Sequence, residues 1–379
     1  MALLTTLSFL ALISSVVQGY AIPNPNQPSG RATADRNAKV LILGGGVAGI
    51  IAARTLHEQG IKDFVVVEAR DELGGRLKST TFAGKTVELG ANWVQGTQTG
   101  NGPKNPILTL VEKHKVKTMY SDTTGSITTY DHTGAVDFLD TFYSSAEAYE
   151  NLTVAAGANN YTFNADEGGF SEENRLCVEQ RGFKTFIQEE AKSFLKPSQL
   201  RLKSFVKNIS WSASGVKVTL DNGESLAGDY AICTFSVGVL QNDDVKFTPS
   251  LPATHQGDFS ERIESLADDQ VKQEVMSVLG AMYPNITVPA PLEFMFPRWY
   301  SDPLYRGSYS NWPPSFVQQH HDNLRANVGR LYFAGEATSQ KYFGEFCFGI
   351  NGALLKGSID HRLLAWSIRR GSGYGEGGG

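Results

Sequence analysis

The feature that most constrains the fold of this chain is one block near its N-terminus, residues 39–68. It opens with a short apolar run that is typical of a buried parallel strand. Gly44, Gly46 and Gly49 follow with the G-x-G-x-x-G spacing of a dinucleotide-binding loop. The first glycine permits a tight turn, the second a close approach to a pyrophosphate, and the third close packing of the next helix on the strand. The pattern predicts a strand, loop and helix that bind a nucleotide.

The second half of the block completes this unit. A helix is predicted over residues 47–59 with Gly60 as its stop, and its N-terminal amides would face the phosphates. Glu68 ends the second strand about 20 residues after the last glycine, where a carboxylate can accept hydrogen bonds from ribose hydroxyls. The complete order of strand, glycine loop, helix, stop, second strand and acidic residue predicts a nucleotide-binding role. The glycine loop alone leaves NAD and FAD open as ligands.

Composition indicates the broad class of protein. The chain has 379 residues, is 41% hydrophobic and carries a formal net charge of −5. This is a globular composition, long enough for two domains with their own cores. Nucleic acid is not an expected partner because there is no long basic run. The seven histidines and three cysteines lack the spacing of a metal or redox site, and no Ser-His-Asp or Cys-His arrangement indicates a hydrolase.

The N-terminal residues predict export from the cell. Residues 1–19 are almost wholly apolar or small and are predicted to be a secretory signal, with a disordered lead-in over 20–37. An uncleaved anchor is the alternative, but the stretch is short for a membrane span, and no later segment is apolar enough for one. Four acceptor triplets for N-glycosylation suit a secreted glycoprotein, at Asn151, Asn160, Asn208 and Asn285. The triplet at Asn208 is the least convincing because a strand is predicted there.

The remaining elements are predicted in separated segments. The opening strand and helix, and the return to strand and helix near the C-terminus, imply one sheet domain assembled from distant parts of the chain, with the middle stretches forming a second domain. The predicted helices cover 107–115, 183–195, 261–282 and 355–366, and the predicted strands cover 127–130, 135–138, 202–209, 215–220, 230–235 and 330–333.

Four blocks occur in a fixed order that a known family shares: residues 40–68, 71–76, 88–96 and 330–342. With them the chain resembles the flavin-containing amine oxidases, specifically the secreted polyamine oxidases of fungi and plants. The resemblance implies an α/β fold with a Rossmann-like FAD-binding domain built from separated segments, plus a smaller, shortened α+β substrate domain. The implied FAD-binding domain comprises 38–110, 178–250 and 322–370, the substrate domain comprises 111–177 and 251–321, and residues 371–379 are a disordered tail.

The resemblance implies FAD as the cofactor. Arg76 follows two glycines and would offset negative charge on the phosphate or the flavin. This arginine and Glu336 would be unexplained in an NAD-dependent dehydrogenase, which is therefore disfavoured. A helix starting near Gly352 would direct its amides at the flavin. The implied cofactor-binding residues are Gly44, Gly46, Ala48, Gly49, Glu68, Arg76, Gly90, Ala91, Asn92, Trp93, Val206, Trp299 and Glu336.

The resemblance also implies the reaction. An amine, above all a polyamine, would lose a hydride to the flavin and become an imine, which water hydrolyses to an aldehyde while dioxygen is reduced to hydrogen peroxide. Aromatic faces suit an amine through cation–π contacts and exclusion of water. For Tyr305 and Tyr309, packing in the core is an equally weighted alternative. The implied substrate pocket comprises Trp93, Gln95, Trp299, Tyr305 and Tyr309.

The chain departs from the family pattern in four places. No lysine matches the one that relatives bridge by water to the flavin, since Lys246 and Lys272 have the wrong local context, so no catalytic residue is assigned. Gln95 replaces a glutamate of plant relatives and lacks its attraction for a cation. Residues 345–351 look inserted, and relatives are longer between 130 and 169. These differences favour an alternative, an FAD-binding protein of the same fold with lost or reduced turnover. The sequence assigns no oligomeric state.

Overall fold

The structure is a computed structural model that describes residues 39–121, 129–131, 134–136, 170–171, 173–251, 263–310 and 318–339. All of these belong to one compact unit of the chain, residues 34–379. Several predictions lie outside the described residues: the secretory signal, the lead-in, the acceptor triplets at Asn151 and Asn160, the apparent insertion at 345–351, the last helix and the C-terminal tail.

The described elements are helices, short 3₁₀ turns and strands, with several runs of consecutive strands. The helices are α1 (Val47–Glu58), α2 (Pro106–Lys113), α3 (Thr185–Lys192), α4 (Val237–Gln241), α5 (Asp268–Met282) and α6 (Gln318–Arg325), with 3₁₀ turns at Pro197–Gln199 and Glu336–Thr338. The strands are β1 (Val40–Leu43), β2 (Phe64–Val67), β3 (Ser79–Phe82), β4 (Lys85–Glu88), β5 (Trp93–Gln95), β6 (Thr118–Ser121), β7 (Thr129–Asp131), β8 (Gly134–Val136), β9 (Asn174–Cys177), β10 (Leu200–Arg201), β11 (Val206–Ser212), β12 (Gly215–Leu220), β13 (Ser225–Gly228), β14 (Tyr230–Cys233), β15 (Lys246–Thr248) and β16 (Leu331–Phe333).

A parallel sheet lies at the centre of the described part. Its order is β10-β2-β1-β14-β16, so that strands from three distant parts of the sequence pair in one sheet. All four residues of β1 are fully buried, as expected for an apolar run with helices or strands on both faces. The α/β fold class predicted from the sequence is confirmed.

The two faces of this sheet are covered by different layers. Alternate residues of β1 point in opposite directions: Val40 and Ile42 belong to a core that includes α1, α2 and α3. Leu41 and Leu43 pack against a mixed sheet of order β13-β12-β11-β15, in which only β11 and β15 are parallel. The helix α1 ends one residue before its predicted limit, and Gly60 has a φ of +84°, which suits a helix stop.

Two elements begin later in the structure than the sequence predicted. In each, the backbone turns at a residue where the pattern of apolar residues continues without a break. The strand predicted over 202–209 is interrupted: Lys203 has a φ of +52°, and its amide donates to Arg70 O. The long helix predicted from residue 261 takes its regular form only at Asp268, because Ala267 is extended with a ψ of 153°. Periodicity of apolar residues does not detect such local breaks.

A third sheet of order β5-β9-β6 joins residues from either side of the predicted domain boundary at 110. The division into an FAD-binding and a substrate domain stays a prediction. Within the described ranges, no helix is both long and apolar enough to cross a membrane. Cys177 and Cys233 are free thiols, and the third cysteine, Cys347, lies outside those ranges.

Candidate cofactor and active site

A cleft opens at the carboxyl ends of the parallel strands and encloses about 1260 Å³, part of it open to solvent. Each adjacent strand contributes the residue that follows it: Gly44 after β1, Glu68 after β2, Thr234 after β14 and Gly335 shortly after β16. In open α/β sheets this edge is where ligands bind.

Two glycine loops form the floor of the cleft. Gly44 has a φ of +112°, and the amide of Gly74 donates to Gly45 O at 3.0 Å. A Cβ on Gly75 would lie 3.1 Å from the Cα of Gly46. A Cβ on Gly49 would lie only 1.9 Å from Gly44 O, so the third glycine of the motif is required for packing under the loop. Because these glycines have no side chain, a ligand in the cleft can approach the backbone of both loops closely.

The N-terminus of α1 faces this floor. Gly46, Val47 and Ala48 line the cleft. The helix has no side-chain cap and no acidic residue in its first turn. Its N-terminal amides and the positive end of its dipole are thus available to an anion such as a diphosphate.

Glu68 lies beside the glycine loop with only 6% of its surface exposed. Its carboxylate accepts the amide of Gly45 at 2.6 Å and the amide of Arg70 at 2.8 Å, one on each oxygen. Each oxygen keeps a second lone pair, so the group can also accept from a ribose hydroxyl. The predicted ribose ligand is therefore also a support for the loop, a role that the sequence did not indicate.

Replacing Glu68 with glutamine should weaken FAD binding about 10- to 100-fold, the equivalent of one lost hydrogen bond to a charged group. Glutamine offers one acceptor where two amides now donate, and its NH₂ group would oppose the second amide. Titration of apoprotein with FAD, followed by flavin fluorescence, measures the change. Asp63→Asn is the matched control, because Asp63 is an exposed carboxylate just before β2, whereas Glu68 directly follows that strand. Unchanged affinity in Glu68→Gln would contradict this assignment.

An ion pair fixes the opposite wall of the cleft. Arg76 Nη1 lies 3.0 Å from Glu336 Oε1 and 3.0 Å from Ser308 O. Glu336 is 3% exposed and also accepts the amide and the hydroxyl of Ser310. The pair therefore attaches the segment 299–310 to the sheet domain. The guanidinium predicted to offset cofactor charge is thus already oriented by a carboxylate.

The segment 299–310 brings aromatic side chains to the cleft. The rings of Trp299 and Tyr305 meet edge to face with centroids 4.9 Å apart, and both line the cleft together with Tyr309. The hydroxyl of Tyr305 accepts from Arg70 at 3.0 Å and donates to Gly75 O at 3.3 Å. Burial raises the pKa of Tyr305 to about 12, so the phenol stays protonated.

Most of the predicted site residues meet in this cleft. Gly49 lies beneath the loop and acts through packing. Asn92, Trp93 and Gln95 are not among the lining residues, because the backbone from Trp93 turns into the sheet with β9; their roles toward cofactor and substrate stay predictions. The predicted residues that line the cleft are Gly44, Gly46, Ala48, Glu68, Arg76, Gly90, Ala91, Val206, Trp299, Tyr305, Tyr309 and Glu336.

The structure adds residues that sequence reasoning did not single out. Arg70 lines the cleft and contacts Gly75 O, Tyr305 and Glu72. Arg70 follows the predicted ribose ligand Glu68 by two residues, and this short spacing could have identified it as a site residue. Lys78 lies 5.9 Å from the Trp299 ring centroid and 5.5 Å from that of Tyr305, a contact between segments over 200 residues apart that no local pattern indicates.

No lysine is among the described residues that line the cleft. Lys246 is exposed on β15, and Lys272 pairs with Asp269 at 3.6 Å on α5. The described ranges also hold no group of histidine, cysteine and acidic residues suited to a metal ion.

The cleft fits FAD. An uncapped helix N-terminus and bare glycine backbone suit a diphosphate, and Glu68 suits a ribose. Apolar residues such as Val206, Val239 and Val245 line the wall on the side of the mixed sheet. The aromatic wall, formed by Trp299, Tyr305 and Tyr309, and the Arg76–Glu336 pair would then contact the flavin end of the cofactor.

Comparison with known proteins identifies the family. A profile described as flavin containing amine oxidoreductase matches residues 47–152, 129–260 and 253–358. The chain is 28% identical to polyamine oxidase 7 of Oryza sativa subsp. japonica, over 84% of this chain and 93% of the relative. It is 27% identical to polyamine oxidase 1 of Zea mays, over 88% and 92%.

A solved structure has the same fold. Wild-type putrescine oxidase bound to putrescine superposes with a TM-score of 0.57 at 16% identity, covering 86% of this chain and 99% of the other. The family profile spans most of the sequence, and most of the residues predicted to bind FAD line one cleft. The chain therefore belongs to the flavin-containing amine oxidoreductases, a family of FAD-dependent amine oxidases.

Proposed function

We propose that this protein oxidises polyamines, with dioxygen as the final electron acceptor. The supporting observation is the cleft itself, in which a dinucleotide cradle lies on the same cavity as an aromatic wall formed by Trp299, Tyr305 and Tyr309. Relatives named polyamine oxidases, similar to this chain along most of its length, support the substrate class. Bound FAD supplies the two-electron acceptor for oxidation of the amine at its carbon–nitrogen bond.

The chain's own residues orient the substrate and exclude water. Trp299 and Tyr305 offer ring faces and edges to an alkylamine, and a ring face attracts its cationic form. The Arg76–Glu336 pair and its contact with Ser308 O hold the segment that carries these rings. A positioned, desolvated amine needs less reorganisation to react, which is the part of catalysis that a protein can supply to a cofactor.

A second candidate is an FAD-binding protein with lost or reduced turnover. It is favoured by the lining of the cleft, in which the described residues include no lysine. The two candidates share the cofactor and differ only in whether an amine reduces it.

Anaerobic mixing with spermidine or spermine distinguishes them. If the protein is an oxidase, the yellow absorbance of bound flavin should bleach, and admitting air should restore it with release of hydrogen peroxide, measured by a peroxidase-coupled assay. Buffer without amine is the control for photobleaching. Persistent yellow colour with every amine tested would contradict the oxidase proposal and support the second candidate.

We further propose that the protein is secreted and N-glycosylated. The apolar stretch 1–19 and the acceptor triplets support this route. Sequencing of the N-terminus of protein recovered from the medium should begin near residue 20; recovery inside the cell with the stretch intact would contradict it.

A further inference from the structure

Asn285 lies in the turn that follows α5, with its side chain exposed to solvent. The turn is closed by a hydrogen bond from the amide of Ile286 to Tyr283 O. The carboxamide of Asn285 makes no hydrogen bond to any residue that the structure describes. Thr287, the hydroxyl residue of the acceptor triplet, is also exposed. A carboxamide of this kind can carry a bulky group without disturbing the fold.

Asn208 carries the same type of triplet in a less accessible place. It lies within β11, paired with Thr219 of β12 on one side and with Lys246 of β15 on the other. Its Oδ1 is buried, and the next residue, Ile209, is fully buried. Asn208 is thus half-buried in a strand that is paired on both sides, which is a poorer acceptor position than the exposed turn at Asn285.

The surroundings of Asn285 indicate what a glycan would do. Five of the nine large apolar side chains that are exposed in the described part fall within residues 275–295. Ile286, adjacent to the acceptor, is 65% exposed, and Leu292 is fully exposed. The helix α5 buries only Val271 among its 15 residues. Exposed apolar side chains concentrated in one segment favour association unless something covers them.

We infer that Asn285 carries an N-linked glycan that covers the apolar surface of segment 275–295. The transfer forms a bond from Nδ2 of Asn285 to the anomeric carbon of a lipid-diphosphate-linked oligosaccharide. The bond from that carbon to the diphosphate breaks, the lipid diphosphate leaves, and the nitrogen loses one proton. The hydrated glycan would stand over the apolar side chains beside the turn. The inference rests on the secretory route proposed above.

Site occupancy is tested by expressing the full chain in a eukaryotic secretory host. Exported protein is treated with peptide N-glycosidase F in heavy-oxygen water, which converts a glycosylated asparagine to labelled aspartate. The peptide with Asn285 should carry the label and the peptide with Asn208 should not. Asn285→Gln and Thr287→Ala should each abolish the label, and Thr287→Ser should retain it. An unlabelled Asn285 peptide would overturn the inference.

A second form of the full chain separates this result from failure of the secretory proposal. In it an established secretory leader replaces residues 1–19. If only this form is exported and its Asn285 is labelled, the site assignment holds and the native signal is wrong. If this form is exported without the label, the site assignment is wrong whatever the native route.

The covering role has its own readout. Exported Asn285→Gln should bind more of an apolar-surface dye and aggregate at lower concentration than glycosylated protein, with flavin content unchanged because residue 285 is outside the cleft. Equal dye binding and equal solubility would overturn the covering role.

Discussion

Gly49→Ala should lose most of its bound FAD. The added Cβ would lie 1.9 Å from Gly44 O and 3.1 Å from Gly44 C, both of them backbone atoms. Neither can yield as a flexible side chain would, so α1 must move away from β1 and take the loop with it. Overpacking of this kind costs about 1–3 kcal/mol, which corresponds to a roughly 5- to 150-fold loss of affinity if the strain is relieved in the binding loop. The ratio of flavin to protein absorbance and an FAD titration of the apoprotein measure it.

Gly280→Ala is the matched control for this experiment. Gly280 is also helical, on α5, but a Cβ there meets no atom within 4 Å. The substitution should leave flavin content unchanged and should stabilise the helix by up to about 1 kcal/mol. Full flavin content and wild-type affinity in Gly49→Ala would mean that the loop does not hold the cofactor. A far-ultraviolet circular dichroism spectrum establishes that each variant is folded.

Much of the nucleotide-binding unit could be predicted because its signals are local. The apolar run of β1, the spacing from Gly44 to Gly49 and the stop at Gly60 each depend on neighbouring residues alone. The structure agrees with the predicted strand and differs by one residue at the helix end. Glu68 was predicted as a ribose ligand, and its hydrogen bonds to two backbone amides required the fold.

The parts that sequence reasoning missed depend on pairing between distant segments. The direction of the side chains in β5 is set by β9, about 80 residues later, so the placement of Trp93 and Gln95 away from the lining of the cleft was not predictable. Arg76 and Glu336 were each predicted to lie near FAD. That they bind one another required tertiary structure, since 260 residues separate them.

The sequence contains a signal for a buried ion pair at Glu190 that the predictions did not use. It lies four residues after Phe186 and three after Ile187, on the apolar face of the predicted helix. A charged residue on such a face predicts a buried ion pair. The structure shows the carboxylate 1% exposed, with Arg54 at 2.9 Å, Lys113 at 2.7 Å and His114 at 2.6 Å. These contacts join α1, α3 and the end of α2.

Glu190→Gln should be among the most destabilising single substitutions in this helix. Burial alone would raise the pKa of Glu190, but hydrogen bonds from Lys113, His114 and Arg54 outweigh it and lower the pKa to about 2. Removing the carboxylate leaves Arg54 and His114, both partly buried, and the half-exposed Lys113 without their partner. Breaking a buried pair costs about 3–5 kcal/mol, and because solvent reaches Lys113 we expect the lower end of that range. The free energy of unfolding at pH 7, from urea or guanidinium titration, measures the loss.

The same pair makes a pH prediction with a definite sign. A carboxyl whose pKa falls from 4.5 in the unfolded chain to about 2 in the folded protein contributes about 3 kcal/mol above pH 5. This contribution is lost as the pH falls from about 5 toward 2, because the carboxyl of Glu190 then becomes protonated in the folded protein as well as in the unfolded chain. The difference in unfolding free energy between wild type and Glu190→Gln should therefore shrink over that range.

Glu189→Gln separates burial from charge. Glu189 is the preceding residue on the same helix, and its side chain is 38% exposed and paired with Lys192, so that solvent screens its charge. This variant should unfold at the wild-type denaturant concentration at pH 7. A loss of stability equal to that of Glu190→Gln would assign the effect to the net charge of the helix. A constant difference between wild type and Glu190→Gln from pH 7 to pH 2 would instead assign it to packing, because only an ionised carboxylate responds to pH in this window.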